Sequence, residues 1–281
     1  MKNKFTFVLM AILLTSITVF GQKDSSTTGW TPKAIAGLNI SQLALSNWTQ
    51  GGDNSLTWSI TGNVGYDYKS SEWNFTNNLK LAYGRTKLGG QDFRTNDNEF
   101  YMESVLFKNV GWVVAPYFSN IVRTTVAPGY NYQNNTAVQI ANFFDPGYVS
   151  QSVGFTYDKL YGFKTRLGIA VQEVFTNHFR QYSDDITTTK KEAFKLETGF
   201  QSVTSGQAQI AENLLLNSSL TLFTRFESLD VWDVRWDNSI IAKVNSWLNV
   251  NIGFLLIYQK DQSPTAQMKQ ALQLGIEYSI L

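Results

Sequence analysis

"SLTWSITGNVGYDYK", Ser55–Lys69, decides the fold. One register of this stretch reads Leu56, Trp58, Ile60, Gly62, Val64, Tyr66 and Tyr68. The other reads Ser55, Thr57, Ser59, Thr61, Asn63, Gly65 and Asp67. A period of two sends alternate side chains to opposite faces of an extended strand, one face greasy and one polar. The alternation outlasts the roughly five or six residues of an ordinary globular strand.

The pattern returns along the chain. Trp73, Phe75, Leu79, Leu81 and Tyr83 alternate with Asn74, Thr76, Asn78, Lys80 and Ala82. Phe163, Thr165, Leu167, Ile169 and Val171 alternate with Lys164, Arg166, Gly168, Ala170 and Gln172, and Leu272, Leu274, Ile276, Tyr278 and Ile280 close the chain opposite Gln273, Gly275 and Glu277. Twelve strands are predicted, beginning near residues 34, 55, 73, 98, 112, 148, 161, 193, 213, 231, 247 and 269. Ten or fourteen would also satisfy the even count of a barrel. Short links such as Ser70–Glu72 and Asn109–Gly111 alternate with long ones such as Leu88–Asp97, Thr124–Gly147 and Val174–Glu192. That asymmetry is the one shown by outer-membrane barrels, which have tight turns at one end and long loops at the other. The link Gly206–Glu212 is too long for the rule.

Three short turns share a signature: Lys69…Trp73, Lys108…Trp112 and Lys243…Trp247, with Tyr161 following Lys159 at a fourth. Trp73, Trp112, Tyr161 and Trp247 are predicted to open their strands as one belt at a lipid–water boundary, rings in the acyl edge and Lys among headgroups. A soluble barrel would turn its greasy face inward and crowd Trp58, Tyr66, Tyr68, Trp73, Phe75 and Tyr83 into one lumen. The inverted arrangement sends those rings to lipid and Lys80, Lys164, Arg166 and Glu277 to the interior. A basic group on the lipid face would cost about 2–4 kcal/mol at mid-bilayer. The expected fold is therefore all-β: a transmembrane, antiparallel, up-and-down barrel.

Lys2, Lys4, the apolar run Phe5–Phe20 and Gly21 read as a secretory signal, residues 1–21, too short to span as a helix. Residues 22–33 are expected to form a periplasmic tail, and residues 34–281 the outer-membrane barrel. Without Lys2 and Lys4, the 23 basic residues become 21 against 22 acidic ones, which gives nucleic acid no electrostatic footprint. The chain has no Cys, so disulfides, thiolate metal sites and a lipid anchor on cysteine are excluded.

"SNWTQGGDNS", Ser46–Ser55, lacks the Lys-Ser/Thr that a phosphate loop needs after its glycines, and a strand rather than a helix follows. Gly51 and Gly52 read as the positive-φ residues of an outer turn. Leu38-Asn-Ile-Ser-Gln42, Leu45-Ser-Asn-Trp48 and Gly51-Gly-Asp-Asn-Ser-Leu56 resemble the N-terminal signature of an uncharacterised Bacteroidota outer-membrane β-barrel family, domain of unknown function 3078. Ala127–Tyr132 and Ile140–Tyr148 resemble its central segments. The resemblance extends over essentially the whole mature chain and implies a compartment and a barrel, but no activity and no functional residues.

The polar faces carry Lys80, Glu103, Arg123, Lys164, Arg166, Arg225, Asp233, Arg235, Asp237 and Glu277 as lumen-lining candidates. These could select small solutes in a narrow channel, or fill a closed, salt-bridged barrel that serves partner proteins through its outer loops. Leu215, Phe223, Leu255, Ile257, Tyr101, Val105 and Phe107 also point inward and favour a narrow bore. The aromatic stretch Ala127–Tyr148 could enter the lumen or lie over it. A lone His178 and the Asp184–Asp185 pair give no catalytic or metal constellation, so neither enzyme activity nor a cofactor is expected. The expected partners are outer-membrane lipids, an outer-membrane protein and the barrel-assembly machinery. The last is read from Gln273–Ile280, which has the form of a C-terminal assembly signal without a terminal aromatic.

Overall fold

Alternation of apolar and polar residues, held across strand after strand, can be satisfied only by a sheet with two different solvents on its faces. The computed structural model describes residues 28–47, 52–132, 136–160, 162–185, 188–260, 263 and 265–279. Its wall consists of β1 (Gly29–Leu43), β2 (Ser55–Lys69), β3 (Trp73–Leu88), β4 (Arg94–Lys108) and β5 (Ala115–Thr124). It continues through β8 (Gly147–Leu160), β9 (Phe163–Phe175), β10 (Phe194–Ala211), β11 (Leu214–Arg225), β12 (Ser228–Lys243), β13 (Leu248–Tyr258) and β14 (Gln267–Ser279). Each strand pairs antiparallel with its sequence neighbour in the wall, and β1 pairs with β14, which closes a twelve-stranded barrel. β6 (Gly129–Asn131) and β7 (Val138–Ala141) form a small hairpin inside the loop after β5.

The apolar register faces out. Ile60, Val64, Tyr66, Leu167, Ile169, Leu272 and Leu274 are exposed, whereas Ser59, on the opposite face of β2, is only 1% exposed. This is the membrane-barrel arrangement and the reverse of a soluble one.

Several boundaries differ from those the pattern predicts. β1 starts at Gly29, so Gly29–Lys33, expected in the tail, pairs with Lys69–Gly65 of β2. Pro32 hides this extension in the sequence. Among the described residues the ladder with β14 begins at Ile35, so none of them in β14 pairs with Pro32, whose ring lacks the N–H a ladder needs. β4 begins at Arg94 rather than near residue 98, which brings Asp97 into the inward register beside Glu99. β10 runs on to Ala211, so the link expected over Gly206–Glu212 shrinks to Glu212–Asn213 and matches the other tight turns. Gly206, Gln207, Ala208 and Gln209 continue the wall there, and Ile210 is the one large apolar side chain that marks it. At the other end the β11–β12 link is only Phe226–Glu227, an exception among the loops.

Trp73 opens β3, and Trp247 directly precedes β13; both are exposed. Trp112 does not open its strand: it sits in the turn before β5, 67% exposed. Tyr161 lies outside the described residues, as do Met1–Thr27, Trp48–Gly51 and the final Ile280–Leu281. Lys108 Nζ stands 5.1 Å over the Trp73 ring, directly across the β3–β4 pair. At the same end Trp30 stacks on Tyr66 at 4.5 Å and touches Tyr68 and Phe75.

Candidate functional site

Strict alternation brings the ten candidate charges into one lumen. Lys80 on β3 reaches Glu99 on β4 at 3.5 Å and Asp237 on β12 at 3.8 Å. Arg235 on β12 donates to Glu99 at 2.8 Å. Arg166 on β9 pairs with Glu103 on β4, and Arg225 on β11 is held by Glu197 at 2.5 Å and Asp233 at 3.0 Å. Lys164 lies over the Phe107 ring at 5.6 Å, and Arg123 over the Tyr148 ring at 5.5 Å. Glu277 accepts from Asn249 Nδ2 at 3.2 Å.

In the barrel order β4 and β12 are diametrically opposite, so the Arg235–Glu99 bond crosses the whole lumen. Strands about 4.8 Å apart and tilted about 40° would hold opposite walls of a round barrel of this size about 24 Å apart. An extended Arg and Glu meeting head to head span about 15 Å from their bond lengths. The section is therefore oval at this level. Lys269 on β14 makes a second crossing, to Asp97 on β4 at 2.9 Å.

The facing wall, β13–β14–β1–β2, is built differently near mid-barrel. Asn251 Nδ2 donates to Asn39 Oδ1 at 2.9 Å, across the intervening β14. Asn39 and Gln273 both donate to Ser59 Oγ, at 3.3 and 3.4 Å. The position beneath this cluster is Gly275, where an added Cβ would overlap the Asn249, Asn251 and Asn39 side-chain amides.

Asp97, Glu99, Glu197, Lys195 and Lys269 belong to the lumen set but were not among the predicted candidates. Period two carried back from Glu103 reaches Glu99 inside the expected strand, and would have reached Asp97 had β4 been extended toward its true start. The lumen contains both dry and wet regions. Phe223, Tyr117, Val105 and Ile121 are buried, as their inward register requires. Asn78 is exposed although it lies on the inward face of β3, and the Lys80 and Asp237 side chains each keep 36% of their surface accessible.

The long loops are tied to the rim. Asn98 on β4 accepts from Val126 and Ala127 N–H and donates to Ala127 O. The Asp145 carboxylate accepts the backbone N–H groups of Asn177 and His178 at 2.8 Å each and that of Phe179 at 3.4 Å. Burial opposes ionisation of Asp145, but these donors outweigh it and hold its pKa below the usual carboxylate value. The His178 ring is 78% exposed beside that carboxylate. Two aromatics of the β5–β8 loop, Phe143 and Phe144, pack against rings of the wall. Phe143 meets outward Phe100 at 6.2 Å, and Phe144 meets Phe175 at 6.0 Å, followed by Phe194 at 5.1 Å. They form an upper aromatic girdle that period-two reading of single strands could not reveal, because half of it comes from a loop. Gly52 takes φ +107°, as the turn reading requires, and Asn54 Oδ1 accepts from Leu45 N–H at 2.6 Å; Gly51 lies outside the described residues.

Among the described residues no His, Asp and Glu group of three or more is arranged to hold a metal ion. No curated protein matches the chain. The translocator domain of autotransporter NalP from Neisseria meningitidis is similar at 9% identity and a TM-score of 0.36, over 91% of this chain and 90% of that one. An outer membrane channel from Pseudomonas putida F1 is similar at 10% identity and a TM-score of 0.39, over 94% and 99%. The fold assignment rests on the strand pairing and not on these likenesses. Residues 40–130 match a family described as "Protein of unknown function (DUF3078)"; Ile140–Tyr148 lies beyond the matched stretch.

Proposed function

We propose that this protein is an outer-membrane barrel that passes small hydrophilic solutes through a narrow, charge-lined lumen. The outward apolar register and the two aromatic girdles support the membrane setting. In this reading residues 1–21 direct export, the strand Gln273–Ile280 addresses the assembly machinery, and the long loops face the exterior. One observation carries the channel: inside the lumen Asn78 is exposed and the Lys80–Asp237 pair is part-exposed, so the bore is not packed shut at that level. A dry plug would bury all three. Mixed signs on the wall predict weak ion selectivity, and the cross-lumen bonds of Arg235 and Lys269 restrict solute size.

A closed accessory barrel is the second reading, favoured by the strapped loop after β5 and by buried Phe223 and Tyr117. Planar-bilayer recording separates the two. The channel predicts small discrete conductance steps, enlarged several-fold by Arg235→Ala, which removes the diametric crossing. Silence from both wild type and variant, with folding confirmed by heat-modifiable electrophoresis, establishes the closed barrel instead.

A further inference from the structure

We propose that the outer half of the lumen holds a binding site for a small hydroxylated carboxylate, seated on Arg123. The inference deepens the channel reading and rests on its orientation of the barrel. Three inward guanidinium groups have carboxylate partners: Arg166 with Glu103, Arg225 with Glu197 and Asp233, and Arg235 with Glu99. Arg123 has none within salt-bridge distance among the described residues; its guanidinium faces the Tyr148 ring, and Glu99, already paired with Arg235, acts on it only from farther away. A guanidinium withdrawn from bulk water without a contacting anion is costly, and Glu99, the acid that acts on it from a distance, is already engaged by Lys80 and Arg235.

Arg123 lies one residue before the outer end of β5 and lines a cavity shared with Arg235, Gln201, Ser150, Phe223 and Asp233. Asp233 accepts from Arg225 at 3.0 Å and so belongs to another pair. A single planar guanidinium fits one carboxylate through two parallel hydrogen bonds, whereas a phosphate dianion would call for a second free cation. Gln201 supplies the other half of the recognition. It is 2% exposed, its amide nitrogen donates to Ser150 Oγ at 3.1 Å, and its amide oxygen has no partner. Exchanging the amide's nitrogen and oxygen would leave a donor in place of an acceptor. A hydroxyl can both donate and accept, so it satisfies either orientation. Phe223, 1% exposed, gives the cavity an apolar wall and limits the ligand to a few carbons.

The test is saturation-transfer NMR on the detergent-folded barrel with three probes: glycerate, propionate (no hydroxyls) and glycerol (no carboxylate). Glycerate should bind saturably and more tightly than either of the others. Arg123→Gln should weaken glycerate at least about 10-fold, the scale of a lost charge-assisted pair, and erase its advantage over glycerol. Gln201→Met, which keeps the volume, should erase its advantage over propionate. Absence of saturable glycerate binding, or affinity unchanged in Arg123→Gln, overturns the proposal. Should Arg123→Gln fail to fold, Gln201→Met and the three-probe ranking on wild type still decide it. Binding without conductance would retain the site and refute the channel; conductance without binding would do the reverse.

Discussion

The two walls of the lumen solve the same problem with different chemistry. On the β4–β12 axis, inward groups are full charges, and bonds such as Arg235–Glu99 and Lys80–Asp237 cross the bore. On the β13–β14–β1–β2 side, Asn39, Asn251, Ser59 and Gln273 bond to one another along the wall, above Gly275. Charges in a part-hydrated lumen are screened by salt and can be exchanged for an ionic solute. An amide network carries no net charge and ignores both salt and pH over the ordinary range. The amide network borders the seam where the first and last strands meet, whose ladder among the described residues runs from Ile35–Ser279 to Ile40–Leu274. The charged wall would then govern passage, and the amide wall would keep the barrel closed.

The contrast presupposes that both walls face inward, and the largest expected effect tests that. Leu79→Arg, on the lipid side of β3, should cost about 2–4 kcal/mol at mid-bilayer and collapse folded yield, whereas Asn78→Arg, one residue away, should be tolerated. Gly275→Val should come next. Its side chain must displace the amide cluster, an overpacking cost of about 1–3 kcal/mol, read as a lower denaturant midpoint in micelles. Glu99→Gln should destabilise less, because water reaches the pair. It should nevertheless increase conductance and reduce its salt dependence, since Arg235 loses its anchor across the bore. If Gly275→Val altered the salt dependence and Glu99→Gln did not, the division of labour between the walls would be reversed.

Much of this architecture was legible because period two survives any local error in strand ends. Ser55–Lys69 was readable to the residue. The misread boundaries share one cause: at Pro32, at Arg94–Asp97 and at Gln207–Ala211 the strand runs on past the described ladder with one neighbour, held by the ladder with the other. Asp97 was missed for that reason. The cross-lumen partners were not legible at all, because no sequence pattern says which strand faces β4 across an oval section. The Asn–Ser network was equally hidden, since amides on a polar face look alike whether they bond each other or water.

The smallest effect is at the mouth. Asp145 has a depressed pKa in the folded barrel, so its contribution is fully present above the ordinary carboxylate pKa and is lost only as pH falls through the lower, folded value. At a pH where free Asp is half protonated, the loop after β5 should still resist limited proteolysis, and it should be released on further acidification. Asp145→Asn should make cleavage rapid and independent of pH in that range.

The central claim is the inside-out placement of the two registers, and the absence of cysteine from the chain makes it directly measurable. Single cysteines at Asn78, Leu79, Gln273 and Leu274 in membrane-embedded barrel can be challenged with a small, charged methanethiosulfonate. The account predicts modification of Asn78→Cys and Gln273→Cys, and protection of Leu79→Cys and Leu274→Cys unless a lipid-soluble reagent is used. Modification of the two leucine positions by the charged reagent, with protection of the two polar ones, would contradict it and make the greasy register the core of a soluble barrel.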